Sequence, residues 1–257
     1  MKIYTLGTSA GTQPYKEAHH VSTAIETGGN LYFIDAGECC GYTAKLCGAD
    51  LLDTKAIFIT HPHMDHVGGL GNLLWYIRKM TNIKKEKVKS GNVDIFTPEK
   101  DVFDATMLLL KNTEGGFNCG HTHTCRAVTE GKLYDDGTIT VTAVHTNHLP
   151  PVDEKYKSFA FRVEAEGKTL VFSGDMQLND IDAILPERCD AFFVETGHHQ
   201  IESVAEEIRS RGKEVGHLFF THNGGYIMVD KAGAAARAKA AFGDNSTICS
   251  DGDIFTV

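Results

Sequence analysis

Residues 60–69 read Thr-His-Pro-His-Met-Asp-His-Val-Gly-Gly, so His61, His63, Asp65 and His66 place four metal-ligating side chains within six residues. Imidazole nitrogen suits zinc and related transition metals, and carboxylate suits harder or mixed sites. The alternate residues His61 and His63 can reach one ion, while Asp65 and His66 can turn toward a second on the other side of the loop. The small pair Gly68-Gly69 lets the backbone crowd close to such a site.

A strand and a helix must hold this loop. Upstream, Lys55-Ala-Ile-Phe-Ile59 is a short apolar run that reads as a buried strand. Downstream, Val67, Leu70, Leu73, Leu74 and Ile77 recur at helical spacing. The cluster therefore sits at the carboxyl end of a strand, where α/β folds commonly place their sites. Further donors end other expected strands. His145-Thr-Asn-His148 follows the alternation of Ile139, Val141 and Ala143. Ser173-Gly-Asp175 follows an apolar run, and His222 follows His217–Phe220. His198 and His199 precede an amphipathic helix marked by Ile201, Val204, Ala205 and Ile208.

The spacing predicts strands at 2–6, 21–26, 30–35, 93–96, 159–163 and 191–194, with short closing strands near 248 and 254–257. It predicts helices at 38–47, from Thr97-Pro98 to about Leu110, and from a cap at Asp230 to near Gly243. Asp35 reads equally as a partner orienting a metal-bound histidine or as the cap of the 38–47 helix. His19 and His20 read as surface residues or as a substrate contact. Residues 111–131 read as an irregular stretch containing Cys119-Gly-His121-Thr-His123-Thr-Cys125. An accessory metal site is open there, but the spacing matches no common zinc module, and a lid with free thiols is the expectation. The basic run Arg78, Lys79, Lys84, Lys85, Lys87 and Lys89 reads as a solvated helix end, with a phosphate or RNA patch as the alternative.

The loop resembles the His-x-His-x-Asp-His signature of the metallo-β-lactamase superfamily. The opening Thr5-Leu-Gly-Thr-Ser-Ala-Gly-Thr12 and Gly29-Asn-Leu-Tyr-Phe-Ile-Asp-Ala-Gly37 look like the ribonuclease Z and small phosphodiesterase branches. The resemblance covers nearly the whole chain. It implies an α/β fold, a four-layer αβ/βα sandwich, in one domain over 1–257. It also implies His61, His63 and His148 on one metal and Asp65, His66 and His222 on another, with Asp175 shared. His148 is favoured over His145 on this ground alone. The implied cofactors are two zinc ions, with manganese or iron open. The resemblance assigns Asp65 to orient a metal-bridging hydroxide and His199, nearer the helix than His198, to stabilise the oxyanion or protonate the leaving group.

With 42% hydrophobic residues the chain can bury a substantial core. A formal charge of −9 argues against a dedicated nucleic-acid binder. Seven cysteines and a start directly into a strand predict free thiols in a reducing cytoplasm. A membrane is not expected, and a homodimer is an option. The expected function is a metal-dependent hydrolase acting on a small-molecule phosphoester, in particular a phosphodiester. A carboxylic ester, lactone or thioester hydrolase is the alternative. Weaker alternatives are ribonuclease Z-type tRNA processing, an iron-binding redox protein and a non-catalytic metal module. Against ribonuclease Z proper, no clear inserted basic arm is present, and Asn223-Gly-Gly-Tyr226 stands where that branch has Arg-Tyr.

Overall fold

A computed structural model describes residues 1–257. The chain divides into two compact units. One comprises Met1–Gly7, His19–Val128 and Asp251–Thr256, and the other comprises Thr8–Ala18, Thr129–Ser250 and Val257.

The sheet of the first unit runs in the order β14 (Ile254–Thr256), β1 (Lys2–Gly7), β2 (Ser22–Thr27), β3 (Asn30–Ile34), β4 (Thr54–Phe58), β5 (Asn92–Thr97) and β6 (Thr122–Ala127). The strands from β14 to β3 pair antiparallel, and those from β3 to β6 pair parallel. Strands buried on both faces read as unbroken apolar runs, and Ala56, Ile57, Phe58 and Ile59 are all fully buried. Helices α1 (Cys40–Leu46), α2 (Met64–Val67), α3 (Leu70–Lys84) and α4 (Lys100–Thr113) belong to this unit. The stripe Leu70, Leu73, Leu74 and Ile77 on α3 shares one core with Phe33, Ile57 and Ile95.

The second unit repeats the plan. Its order is β13 (Ser246–Ile248), β12 (Glu214–Asn223), β11 (Arg188–Thr196), β10 (Lys168–Phe172), β9 (Phe159–Ala165), β8 (Thr140–His145) and β7 (Gly131–Asp135). Strands β10 to β13 are parallel, and β7 to β10 are antiparallel. Its helices are α5 (Ile181–Ile184), α6 (Ile201–Ser210), α7 (Gly225–Met228) and α8 (Lys231–Phe242). The side chain of Asp230 accepts from Gly233 N at the start of α8, as expected of a cap. No helix is long and apolar enough to cross a membrane.

Two expectations need correction. Residues 122–127 are not irregular but form β6, paired in register with β5 from Asn92↔Thr122 to Thr97↔Ala127. The stretch Thr-His-Thr-Cys-Arg-Ala lacks an apolar alternation because β6 is an edge strand with no residue fully buried. The helix expected to begin at Thr97-Pro98 begins at Lys100. Thr97 is the last residue of β5, and its hydroxyl accepts from Glu99 N just ahead of the helix.

Candidate active site

In both units the polar candidates lie where strands end. In the first, Asp35 follows β3 and Thr60–His66 follow β4. Asp35 N donates to Phe58 O at 2.8 Å, and the buried Asp35 carboxylate accepts from Thr60 N at 2.7 Å and from the Thr60 hydroxyl at 2.9 and 3.0 Å. The same carboxylate meets His66 Nδ1 at 2.8 Å. Of the two roles open to Asp35, the histidine partnership is therefore the one adopted; Cys39, not Asp35, stands at the start of α1. A carboxylate on Nδ1 fixes the ring and presents Nε2 as the ligating nitrogen. Asp35 itself has φ 60°, a conformation Asp tolerates better than most residues.

The loop is pinned to this segment. Ala36 N donates to His66 O at 2.7 Å and Gly69 N to Ala36 O at 2.8 Å. Gly69 is needed for that approach, since a Cβ there would lie 2.0 Å from Gly37 O. His61 is buried, and its ring centroid lies 4.6 Å from that of His63 and 4.0 Å from that of His66. Asp65 Oδ2 is 3.5 Å from His66 Nε2.

In the second unit, Asp175 follows β10, Glu195 and His198 lie at the end of β11, and His222 lies at the end of β12. The buried Asp175 carboxylate is flanked on both oxygens: His148 Nε2 lies 3.6 Å from Oδ2 and His222 Nδ1 lies 3.4 Å from Oδ1. Donor atoms of Asp175, Glu195, His198 and His222 all fall within 4.8 Å of one another. His222 is held at φ 45°, a strained backbone that only a well-packed surrounding maintains.

These separations bear on metal binding. A hydrogen bond brings N and O to about 2.7–3.2 Å, whereas two donors on one tetrahedral zinc stand about 3.4 Å apart. Asp65–His66, Asp175–His222 and Asp175–His148, at 3.5, 3.4 and 3.6 Å, have the second spacing. The donor sets thus fit a metal.

Glu195 is a member of this group that no sequence signal singled out. It sits 1% exposed, accepts from Met176 N and His198 N, and meets His198 Nδ1 at 3.0 Å. Burial alone would raise its pKa, but hydrogen bonds with His198 and His222 outweigh that and hold it below the usual carboxylate range. The Glu195 hydrogen bond in turn raises His198. A cue was available in Val-Glu-Thr-Gly after a buried apolar run, a carboxylate at the end of a parallel strand.

The adjacent histidines are placed differently. His199 is nearly buried and its Nε2 meets Met176 O at 2.9 Å. His198 is half exposed, its ring 5.0 Å from His148. The His145 ring packs tilted against Tyr156 with centroids 3.8 Å apart, while His148 adjoins Asp175. His19 is paired with Asp251 at 2.9 Å and His20 with Glu38. All seven cysteines are free thiols, as expected.

Gly197 gives a first test. A Cβ there would stand 2.7 Å from His222 Nδ1 and 2.9 Å from Ala10 Cβ. We expect Gly197→Ala to displace the His222 ring and weaken metal affinity by about 10–100-fold. Metal titration against Gly71→Ala, whose added Cβ meets nothing nearer than 3.6 Å, checks it. Equal affinity in the two variants contradicts the packing argument.

Comparison with known proteins places this geometry. The chain is 26% identical over 163 residues to a ribonuclease Z of Mycolicibacterium paratuberculosis, a match covering 60% of this chain and 55% of that protein. The match thus spans about half the length of that relative. The metallo-β-lactamase fold protein YhfI of Bacillus subtilis superposes with a TM-score of 0.74 at 19% identity, covering 99% of each chain. The short form of human tRNase Z gives a TM-score of 0.73 at 20% identity, covering 100% of this chain and 99% of that one. The fold class is therefore as expected, α/β of the metallo-β-lactamase type, with His/Asp groups suited to metal. A family model described as Anti-Pycsar protein Apyc1 matches residues 1–209, and the chain belongs to that family.

Proposed function

We propose that the chain is a metal-dependent phosphodiesterase whose substrate is a cyclic nucleotide, opened by addition of water across one P–O bond. The observation that carries this reading is the buried Asp175 carboxylate set 3.4 and 3.6 Å from two imidazoles delivered from the ends of β12 and β8 of the same sheet. Membership of the Anti-Pycsar family supports the cyclic phosphodiester as substrate class. His61, His63 and His148 are assigned to one ion and Asp65, His66 and His222 to a second, with Asp175 shared. Zinc suits this imidazole and carboxylate set best, and manganese or iron would use the same donors. Such ions supply Lewis acidity toward the phosphoryl oxygens and lower the pKa of a bound water.

The chain's own residues do the rest. Asp35 and Thr60 fix the tautomer of His66. Asp65 accepts a hydrogen bond from the attacking water and aims it. The proton-handling role is assigned to His198, with His199 beside it. His198, with Nδ1 engaged by Glu195, turns Nε2 to the leaving oxygen, and His199 braces the Met176 carbonyl beside Asp175. A small substrate also agrees with the pairing of the basic run: Arg78 with Glu114, Lys84 with Asp50 and Lys89 with Asp53, at 2.5–2.7 Å. Charges already matched by carboxylates add little affinity for a polyanion.

The test is a panel of cyclic nucleotide monophosphates, a bis-aryl phosphate, a tRNA precursor, a lactone and a thioester, with and without chelator. Chelator-sensitive opening of a cyclic nucleotide is the expected result. Turnover of lactone or thioester alone overturns the substrate class, and turnover of the tRNA precursor alone supports a ribonuclease Z activity instead.

A further inference from the structure

We propose that Cys119, His121 and His123 bind a further transition-metal ion of the zinc class, on residues that take no part in the active site. Their ligand atoms all lie within 4.8 Å of one another. Strand alternation puts the side chains of His121 and His123 on one side of the chain entering β6, and their rings stand edge to face at 4.7 Å. Cys119 comes from the irregular segment just before, two residues beyond Phe117.

The second observation is what these rings lack. His121 is only 8% exposed, and both of its ring nitrogens are buried with no hydrogen-bond partner. The same holds for His123 Nε2. A neutral imidazole carries one N–H and one lone pair, and leaving both buried and unmatched is costly. A single such ring is a packing accident that a fold tolerates. Two adjacent rings and a thiol converging on one point make a ligand set.

The surroundings keep the two imidazoles in the neutral form that ligates a metal. Burial lowers both histidines, with His123, next to His121, reaching about 4, so each ring keeps its lone pair at neutral pH. The Cys119 thiol is raised by burial and donates to Phe117 O at 3.4 Å. Binding therefore replaces the thiol proton with the ion and releases one proton per ion bound.

Sulfur and imidazole together select zinc, cobalt or copper and discriminate against magnesium and calcium. Three protein ligands leave a fourth tetrahedral position for water or a small exogenous ligand. Because β6 is the edge strand of its sheet, the ion ties down the segment that feeds an unprotected edge.

The experiment uses the full chain exchanged with cobalt(II). A thiolate-to-cobalt charge-transfer band reports sulfur ligation, which the proposed active site cannot supply. We expect the band in the wild type and in Cys125→Ser, and its loss in Cys119→Ser. Zinc content should fall by one equivalent in Cys119→Ser and in His121→Ala, with phosphodiester hydrolysis unchanged. Cys119 is half buried, so its serine variant reads the site even where His121→Ala folds poorly. A wild type without the band, or Cys119→Ser with wild-type zinc content, overturns the proposal and leaves a buried water as the partner of these rings. Loss of the band in Cys125→Ser alone overturns the ligand assignment.

Discussion

Asp175→Asn is expected to reduce hydrolysis by about 10³-fold or more and to lower metal content, with the fold retained. The substitution keeps shape and removes charge. Asp175 is 3% exposed, and its two oxygens face His148 and His222 separately. Glu195, in the same unit, also has imidazoles near both oxygens, His199 Nε2 at 3.6 Å from Oε1 and His222 Nδ1 at 3.7 Å from Oε2. It is engaged with His198 and the Met176 N–H, however, so it cannot take over without abandoning them. An amide presents one oxygen and one NH₂ group, and the NH₂ would face an imidazole or a cation with the wrong polarity. The backbone around Asp175 does not depend on the charge, because Thr146 Oγ1 donates to its carbonyl oxygen at 2.8 Å. Elemental analysis, initial rates and a thermal melt on the same preparation separate the outcomes. A variant with a full metal complement and near wild-type turnover removes Asp175 from the centre of the site.

Much of this was legible in the sequence, for physical reasons. The parallel strands are buried on both faces, so Ala56–Ile59 and Leu218–Phe220 announce themselves as apolar runs. The residues that end them are polar because the chain emerges there into the site. The His61–His66 cluster carries its chemistry in local spacing, and so it could be read. What could not be read depends on tertiary partners. Strand β6 is stabilised by its register with β5 rather than by its own composition, and Thr-His-Thr-Cys gives no strand period. Glu195 gains its importance from His198 and His222, brought to it by the turn at Gly197 and the close pairing of β11 with β12. Asp35 had two readings that differ only in which neighbour its carboxylate meets, and the 2.8 Å contact to His66 decides between them.

The larger of the remaining effects separates two histidines three residues apart. His148→Ala is expected to release one metal equivalent and abolish turnover, whereas His145→Ala should keep both metals and lose activity only modestly. Proximity to β8 does not distinguish them, since His145 is the last residue of that strand and His148 follows in the next turn. The fastening of the turn does. Thr146 N donates to Ser158 O at 3.0 Å, Asn147 N to Asp180 Oδ2 at 2.8 Å, and Leu149 N to Ser158 Oγ at 3.0 Å. The residues around His148 are thus held on both sides, and its ring is delivered to Asp175 with little freedom. His145 instead spends its ring on Tyr156. A ligand delivered by a rigid turn costs little entropy on binding, so its loss removes a preorganised donor rather than a mobile one. Metal content and activity of the two variants, measured side by side, decide the matter. Full metal in His148→Ala together with loss in His145→Ala reverses the assignment.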